Sequence, residues 1–450
     1  MEIKKNDIIE LDISGTSHDG FGIGRYGDFV IFTPACSEGD KIKAKIVSVK
    51  KNMAYARLEQ IIVPSTSRML SDCEVYDKCG GCVFRHISYD EELRIKQKRV
   101  KEALQKIGHI NVEPNPIIGC SNINGYRNKA QYPVALEKSL LIGFYAKGSH
   151  RIIGCKNCLL QPKSFEHILN IFEQWITQNN IAIYDEKTGI GLLRHIYIRQ
   201  AEVSGEMMVC AVINGDDIPE KGSLIELLTK NSPQIVSVVL NINKRNTNVI
   251  LGNSCQIIWG KDTITDILCG LKIEISPLSF FQVNRTQAER LYNIVSEFAG
   301  LTGHETLLDL YCGAGTIGLS MASKVKKIIG VEIVPQAIQN AKVNAKINNI
   351  LNATFICADA EQAAQTLLIE KTNIDIIVVD PPRKGCTSET INSIIKINPQ
   401  RIVYVSCDPA TLSRDLNLFE QNNYRCEKVQ PVDMFARTGH VECVVLIERI

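Results

Sequence analysis

The chain has 450 residues, 45% apolar and 22% charged, a mix that excludes a disordered chain and predicts two to four domains with separate cores. No apolar run reaches the roughly 18 residues of a membrane span, and the start, Met1-Glu-Ile-Lys-Lys-Asn-Asp7, lacks the apolar stretch of a secretory signal. A net charge of +2 excludes a wholesale polycation, and 16 cysteines without an export signal predict reduced thiols in a cytoplasmic protein, so that a clustered set reads as metal-binding or catalytic before disulfide.

Residues 1–62 alternate short β-type runs with turns. Ile8–Ile13, Phe29–Phe32 and Lys41–Val49 are separated by Gly20, Gly22, Gly24, Gly27 and Gly39, which predicts a small β-barrel. In Lys41–Lys45 the lysines share one strand face opposite Ile42 and Ala44, giving either a solvated face or a phosphate-binding one.

A cysteine-rich knot follows, Cys73-x5-Cys79-x2-Cys82. A helix is predicted from about Tyr89 to Ile107, with Leu93, Ile95, Val100, Leu104 and Ile107 on its apolar face and Lys96, Lys98, Arg99 and Lys101 on its polar side. Residues 126–156 carry six Lys/Arg and one acid, with Tyr126, Tyr132, Phe144 and Tyr145 interleaved. That pattern suits phosphate contacts with base stacking, or an exposed sheet with core aromatics. Cys155-x2-Cys158 lies at its end. Four soft thiolates drawn from these clusters fit tetrahedral zinc or a [4Fe–4S] cluster, and spacing does not decide between them. The stretch 160–270 reads as mixed α/β.

From about residue 290 the pattern becomes regular. A helix over Gln287–Phe298 precedes strands at Thr306–Tyr311, Lys327–Val331, Thr354–Cys357, Ile374–Val379 and Arg401–Ser406, with helical stretches between. Two further runs, around Val429 and Val441–Ile447, close the chain. The expectation is a doubly wound α/β sheet ending in an antiparallel pair. Gly313-Ala-Gly315-Thr-Ile-Gly318 follows the first strand and Glu332 ends the second, which taken literally is a dinucleotide fingerprint and keeps NAD in view. Against it stand Asp309, four residues before the glycines, and Asp380-Pro-Pro-Arg383 at the end of the fourth strand. These carboxylates would repel a pyrophosphate and suit cationic S-adenosylmethionine.

Tyr404-Val-Ser-Cys407-Asp-Pro puts a thiol just beyond the fifth strand, and His440-Val-Glu442 puts a carboxylate at the start of the last. Carbon 5 of a pyrimidine is a poor nucleophile until a thiolate adds at carbon 6; a base must later remove the carbon 5 proton. Thiol, carboxylate and methyl donor together point to that chemistry.

With D-P-P-R, S-C-x-P-x-T-L-x-R-D and H-V-E in this order, the chain resembles the TRAM-domain, iron–sulfur type of bacterial RNA uracil-C5-methyltransferase that acts on 23S ribosomal RNA. The resemblance covers nearly the whole chain. It implies a TRAM-like barrel of the OB type at 1–62, a mixed α/β central domain with the cysteine motif at 63–270, and a class I Rossmann-like methyltransferase domain at 271–450. It implies Cys407 as nucleophile and Glu442 as base, with S-adenosylmethionine held by Gln282, Tyr311, Glu332 and Asp380. It further implies a [4Fe–4S] cluster on Cys73, Cys79, Cys82 and Cys158, with Cys155 outside the motif. Two positions depart from the family pattern. Asp408 replaces an asparagine and, if ionised nearby, would raise the Cys407 thiol pKa; Ala436 replaces a proline, which would loosen its loop. His440 is a candidate to orient Glu442, and Cys312 and Cys357 read as core. The expected product is 5-methyluridine, with 23S rRNA as partner; no membrane and no obligate protein partner are indicated. Transfer RNA is the alternative substrate, and a non-enzymatic iron–sulfur RNA-binding protein is a further alternative that would need neither Cys407 nor Glu442.

Overall fold

A computed structural model describes residues 3–17 and 19–450. Strands β1 (Ile8–Thr16), β2 (Gly22–Tyr26), β3 (Phe29–Thr33), β4 (Lys41–Val49) and β5 (Met53–Val63) close into a barrel in the order β1-β2-β3-β5-β4. Period-two patterning drives it: Ile9, Leu11 and Ile13 of β1 and Ile42, Ala44 and Ile46 of β4 fill the interior, and Lys41, Lys43 and Lys45 face outward as expected.

Helix α1 (Tyr89–Ala103) starts at Ser88, whose hydroxyl accepts from Glu91 N at 3.3 Å, with Asp90, Glu91 and Glu92 in the first turn. Helical turns continue to Gly108, as the sequence suggests, but the regular α-helix ends earlier. A π-turn over Leu104–Gly108 and a left-handed His109 end it, leaving Ile107 exposed. Val100 and Leu104 pack with Leu412 and Leu416 in the core of the C-terminal sheet. Lys96 corrects the polar-side expectation, since its side chain is 1% exposed, inside an ion network described below.

The central unit holds β6 (Lys129–Leu136), β7 (Leu140–Tyr145), β8 (Ile152–Gly154), α2 (Ser164–Gln178), β9 (Leu193–Gln200), β10 (Met207–Ile213), α3 (Lys221–Asn231), β11 (Ile235–Ile242) and β12 (Ser254–Gly260). Its strands form one sheet, β12-β11-β10-β9-β6-β7-β8. The apolar face of α2, with Phe165, Ile168, Phe172 and Trp175, covers it. Tyr126 and Tyr132 are buried, and Tyr132 packs against Phe144 at 4.9 Å between centroids. These aromatics are core rather than a stacking platform.

A hairpin, β13 (Ile264–Leu268) and β14 (Leu271–Ile275), and α4 (Arg285–Ala299) lead into the last unit. There β15 (Thr306–Leu310), α5 (Thr316–Ser320), β16 (Lys327–Glu332), α6 (Pro335–Ile347), β17 (Ala353–Cys357), α7 (Ala360–Ile369), β18 (Ile376–Val379), α8 (Ser388–Ile397), β19 (Arg401–Ser406), α9 (Pro409–Glu420), β20 (Tyr424–Val432) and β21 (Glu442–Arg449) follow. The sheet order is β17-β16-β15-β18-β19-β21-β20, parallel except for β21, which runs antiparallel to both its neighbours β19 and β20. The chain reverses its winding between β15 and β18, so their carboxyl ends open the crevice in which such sheets bind ligands. Cys312 is buried as expected, whereas Cys357 is exposed. Among the described residues no helix is long and apolar enough to cross a membrane.

Candidate active site

The crevice is floored by the glycine loop. Gly318 N donates to Asp309 Oδ2 at 2.9 Å, and a Cβ at residue 318 would stand 2.8 Å from that oxygen, so only glycine lets the loop close over the carboxylate. Asp309 is thus a brace beneath the loop, and burial pushes its carboxyl up to about 7. Tyr311 holds a left-handed φ of 65°, a strained conformation of the kind found at ligand sites. Gly313 N and Val334 N donate to the two Glu332 oxygens at 3.2 and 2.9 Å. Burial also pushes Asp380, one residue beyond β18, up to about 7. Gln282 lies in the loop before α4, and its backbone carbonyl accepts from Asn128 Nδ2 at 2.8 Å. A crevice with three acids in its wall, two held near neutrality by burial, fits a cationic ligand and not a pyrophosphate.

Ser406 and Cys443 are register partners across β19 and β21. Cys407 therefore leaves the end of one strand as Glu442 enters the other, next to Asp380. Burial, then Glu442 and Asp380, pushes the Cys407 thiol up to about 11, and Arg383 pulls it back. Burial and Asp380 push Glu442 up to about 8, again against Arg383. The expected nucleophile, base and cofactor carboxylate thus share one electrostatic neighbourhood.

Residues 249–450 match the tRNA (Uracil-5-)-methyltransferase family and residues 4–58 the TRAM domain. An uncharacterized RNA methyltransferase of Clostridium tetani is 45% identical over 99% of this chain and 97% of its own. One from Halalkalibacterium halodurans is 42% identical over 99% and 98%. The chain belongs to the RNA uracil-5-methyltransferase family. The crystal structure of Pyrococcus abyssi tRNA (uracil-54, C5)-methyltransferase in complex with S-adenosyl-L-homocysteine superposes with a TM-score of 0.81 at 28% identity, over 97% of this chain and 99% of that one. S-adenosylmethionine is accordingly the cofactor that the crevice serves, and RNA the substrate class.

Sequence reasoning missed how this methyltransferase holds the loop that leads into Glu442. Glu92, Lys96 and Arg99, spaced on one face of α1, grip it at successive turns. Lys96 Nζ donates to Asp433 Oδ1 at 2.8 Å, to Phe435 O at 3.2 Å and to Glu92 Oε1 at 2.7 Å. Arg437 N donates to Glu92 Oε1 at 2.7 Å, and Tyr126 OH to Ala436 O at 2.8 Å. Ala436 is fully buried where the family pattern has proline. The His440 ring lies edge-on to Phe435 at 6.0 Å, and no hydrogen bond joins it to Glu442 among the described residues. Asp408 also departs from expectation. Its Oδ1 caps α9, accepting from Ala410 N at 2.9 Å and Thr411 N at 3.1 Å, and the acids that raise the thiol are Glu442 and Asp380. Arg383, the last residue of D-P-P-R, is the cation that opposes both upward shifts.

Cys73, Cys79, Cys82 and Cys158 line one cavity of about 80 Å³, together with Cys155, Arg85 and Arg127. Among the described residues no group of three or more metal-ligating side chains stands close enough for a single ion. A zinc ion with 2.3 Å bonds would need its sulfurs about 3.8 Å apart, whereas a cluster spreads its ligands over separate irons. The thiols converge on this cavity, and the two guanidinium groups beside them carry positive charge.

Proposed function

We propose that the enzyme makes 5-methyluridine in 23S rRNA, with Cys407 as nucleophile, Glu442 as base, and Gln282, Tyr311, Glu332 and Asp380 holding the cofactor. The observation that carries this reading is the register that sets Cys407 and Glu442 at the paired ends of β19 and β21, beside Asp380 at the cofactor crevice. S-adenosylmethionine, when bound, supplies a methyl group on a positively charged sulfur, a charge that favours the ionised form of nearby acids. The Cys407 thiolate adds to carbon 6 of the uracil, and the former double-bond pair moves toward carbon 5 and oxygen 4. Carbon 5 then takes the methyl group, while the pair of the broken sulfur–methyl bond stays on the cofactor sulfur. Glu442 removes the carbon 5 proton, the 5,6 double bond re-forms, and Cys407 leaves as thiolate. The uridine must leave its stack to reach this depth.

Outward lysines on β4 and the half-buried cations Arg127 and Lys129 support backbone contacts, with the buried Arg199 behind them. Lys129 and Arg199 are register partners on β6 and β9, and the Nε of Arg127 and of Arg199 is buried without a hydrogen-bond partner. Cys73, Cys79, Cys82 and Cys158 are proposed to hold a [4Fe–4S] cluster. In this reading the cluster stabilises the fold: Val83 N donates to Arg437 O at 2.9 Å, and Tyr126, Leu160 and Ala436 pack with Cys82 and Cys158.

A tRNA substrate is the second reading. It is favoured by the archaeal tRNA enzyme, which matches over the whole chain, so the barrel and central unit do not separate the two classes. Incubation with methyl-labelled cofactor and either purified 23S rRNA or total tRNA lacking 5-methyluridine tests the assignment. Label in uridine of 23S rRNA is expected. Label in tRNA alone would replace the first reading by the second.

A further inference from the structure

Arg99 stands where the two catalytic segments converge. Its Nη1 donates to Gly439 O at 2.6 Å, three residues before Glu442, and its Nη2 lies 3.7 Å from Asp408 Oδ2, the residue after Cys407. The guanidinium is planar and carries its donors in a rigid fork, so contact with both segments fixes the span between them. Asp408 divides its oxygens between two tasks, Oδ1 capping α9 and Oδ2 facing Arg99. Asparagine could keep the cap, but its remaining group would be an amide NH2 turned toward a cation. The aspartate is therefore what gives Arg99 a partner on the thiol side.

The rest of the helix anchors this contact. Glu92 and Lys96 hold residues 433, 435 and 437 of the same loop from buried positions, so Arg99 extends a fixed row of contacts by one turn. It also lines a groove of about 640 Å³ between the barrel and α1, whose far wall includes Asp408, Pro409 and Ala410.

We propose that Arg99 is a positioning residue that ties the thiol-bearing turn to the base-bearing loop through Asp408 and Gly439, setting the separation of Cys407 and Glu442. This rests on the roles proposed above for those two residues. Strand register brings the two segments to the same edge, but Cys407 lies beyond the last pair of β19 and Gly439 in the loop before β21, outside the paired residues. A misplacement of about 1 Å between reacting groups can cost on the order of 100-fold in rate.

The test uses full-length enzyme, S-adenosylmethionine and in vitro transcribed 23S rRNA containing 5-fluorouridine, with a tRNA transcript in parallel, and follows covalent protein–RNA adduct in a single turnover. Arg99→Met is expected to slow adduct formation at saturating RNA by about 10- to 100-fold. Half-saturating RNA and S-adenosylhomocysteine affinity should stay within about twofold, since a positioning contact acts after binding. Arg99→Lys should recover part of the rate. Asp408→Asn should slow the wild type but add almost nothing to Arg99→Met, as two ends of one contact do in a double-mutant cycle. An unchanged maximal rate with weaker RNA binding would make Arg99 a contact for RNA and overturn the proposal, as would additive losses in the cycle. Retained S-adenosylhomocysteine binding distinguishes slow chemistry from misfolding. If wild-type enzyme formed no Cys407-dependent adduct on either RNA, the catalytic assignment itself would fall, and the role of Arg99 with it.

Discussion

Glu442→Gln should make the enzyme more stable, and more so as the pH rises. Glu442 is 5% exposed, and its carboxyl is held at about 8 against an ordinary 4.5, chiefly by burial and then by Asp380. A carboxyl raised by folding leaves stability untouched below the unfolded value. It withdraws stability as the pH climbs from about 4.5 to about 8, because the unfolded chain releases the proton and the folded one keeps it. At about 1.4 kcal/mol per pH unit, the full penalty is about 5 kcal/mol above pH 8. Glutamine has nearly the same shape and no charge, so it removes that penalty. Urea titrations at pH 5, 6, 7, 8 and 9, read by hydrogen exchange of β19 and β21 amides, would isolate the sheet that carries the residue. The two proteins should match near pH 5, and the variant should lead by several kcal/mol at pH 9. Parallel curves across that range would refute the burial argument.

Three other outcomes are expected. Replacing Lys41, Lys43 and Lys45 by glutamine should lower the slope of log affinity against log salt by about two to three, with cofactor affinity unchanged; an unchanged slope would make the barrel face purely structural. Anaerobically purified protein should be brown, lose its broad absorbance on iron chelation under oxidising conditions, and lose structure near residues 126 and 437 at the same time. Colourless protein with stoichiometric zinc would contradict the cluster. The rate of covalent adduct formation should keep rising from pH 7 to pH 9, because the Cys407 thiol sits near 11 in the free enzyme, and Arg383→Gln should slow it further; a plateau below pH 7.5 would contradict this.

The C-terminal sheet was legible because each βα unit announces itself: β-branched runs lead to Gly313, Glu332, Asp380 and Cys407, which border the candidate site. The barrel was legible from two-residue alternation. What the sequence hid lies in contacts between distant segments. Lys96 reads as a surface lysine on a helix wheel, yet it is buried because Asp433, 337 residues away, lies opposite. Tyr132 sits among cations in the sequence but faces inward, since strand alternation sends it and Lys129 to opposite faces of β6, and Tyr126, in the loop before that strand, packs with Leu160 and Ala436. Asp408 looked like a threat to the thiol because adjacency along the chain says nothing about direction; its carboxylate turns to the amides of α9. Cys155, which the motif leaves out, lines the same cavity as the four expected ligands.

The central claim is that Cys407 adds to the uracil and Glu442 completes the reaction by removing the carbon 5 proton. It is tested most directly by mixing Glu442→Gln enzyme with unmodified substrate RNA and methyl-labelled cofactor, then resolving the mixture on a denaturing gel. The account predicts a protein–RNA band that carries the labelled methyl group and vanishes when Cys407→Ala is added to the same chain. Free, fully methylated RNA released at the wild-type rate, or an adduct that survives loss of Cys407, would contradict it.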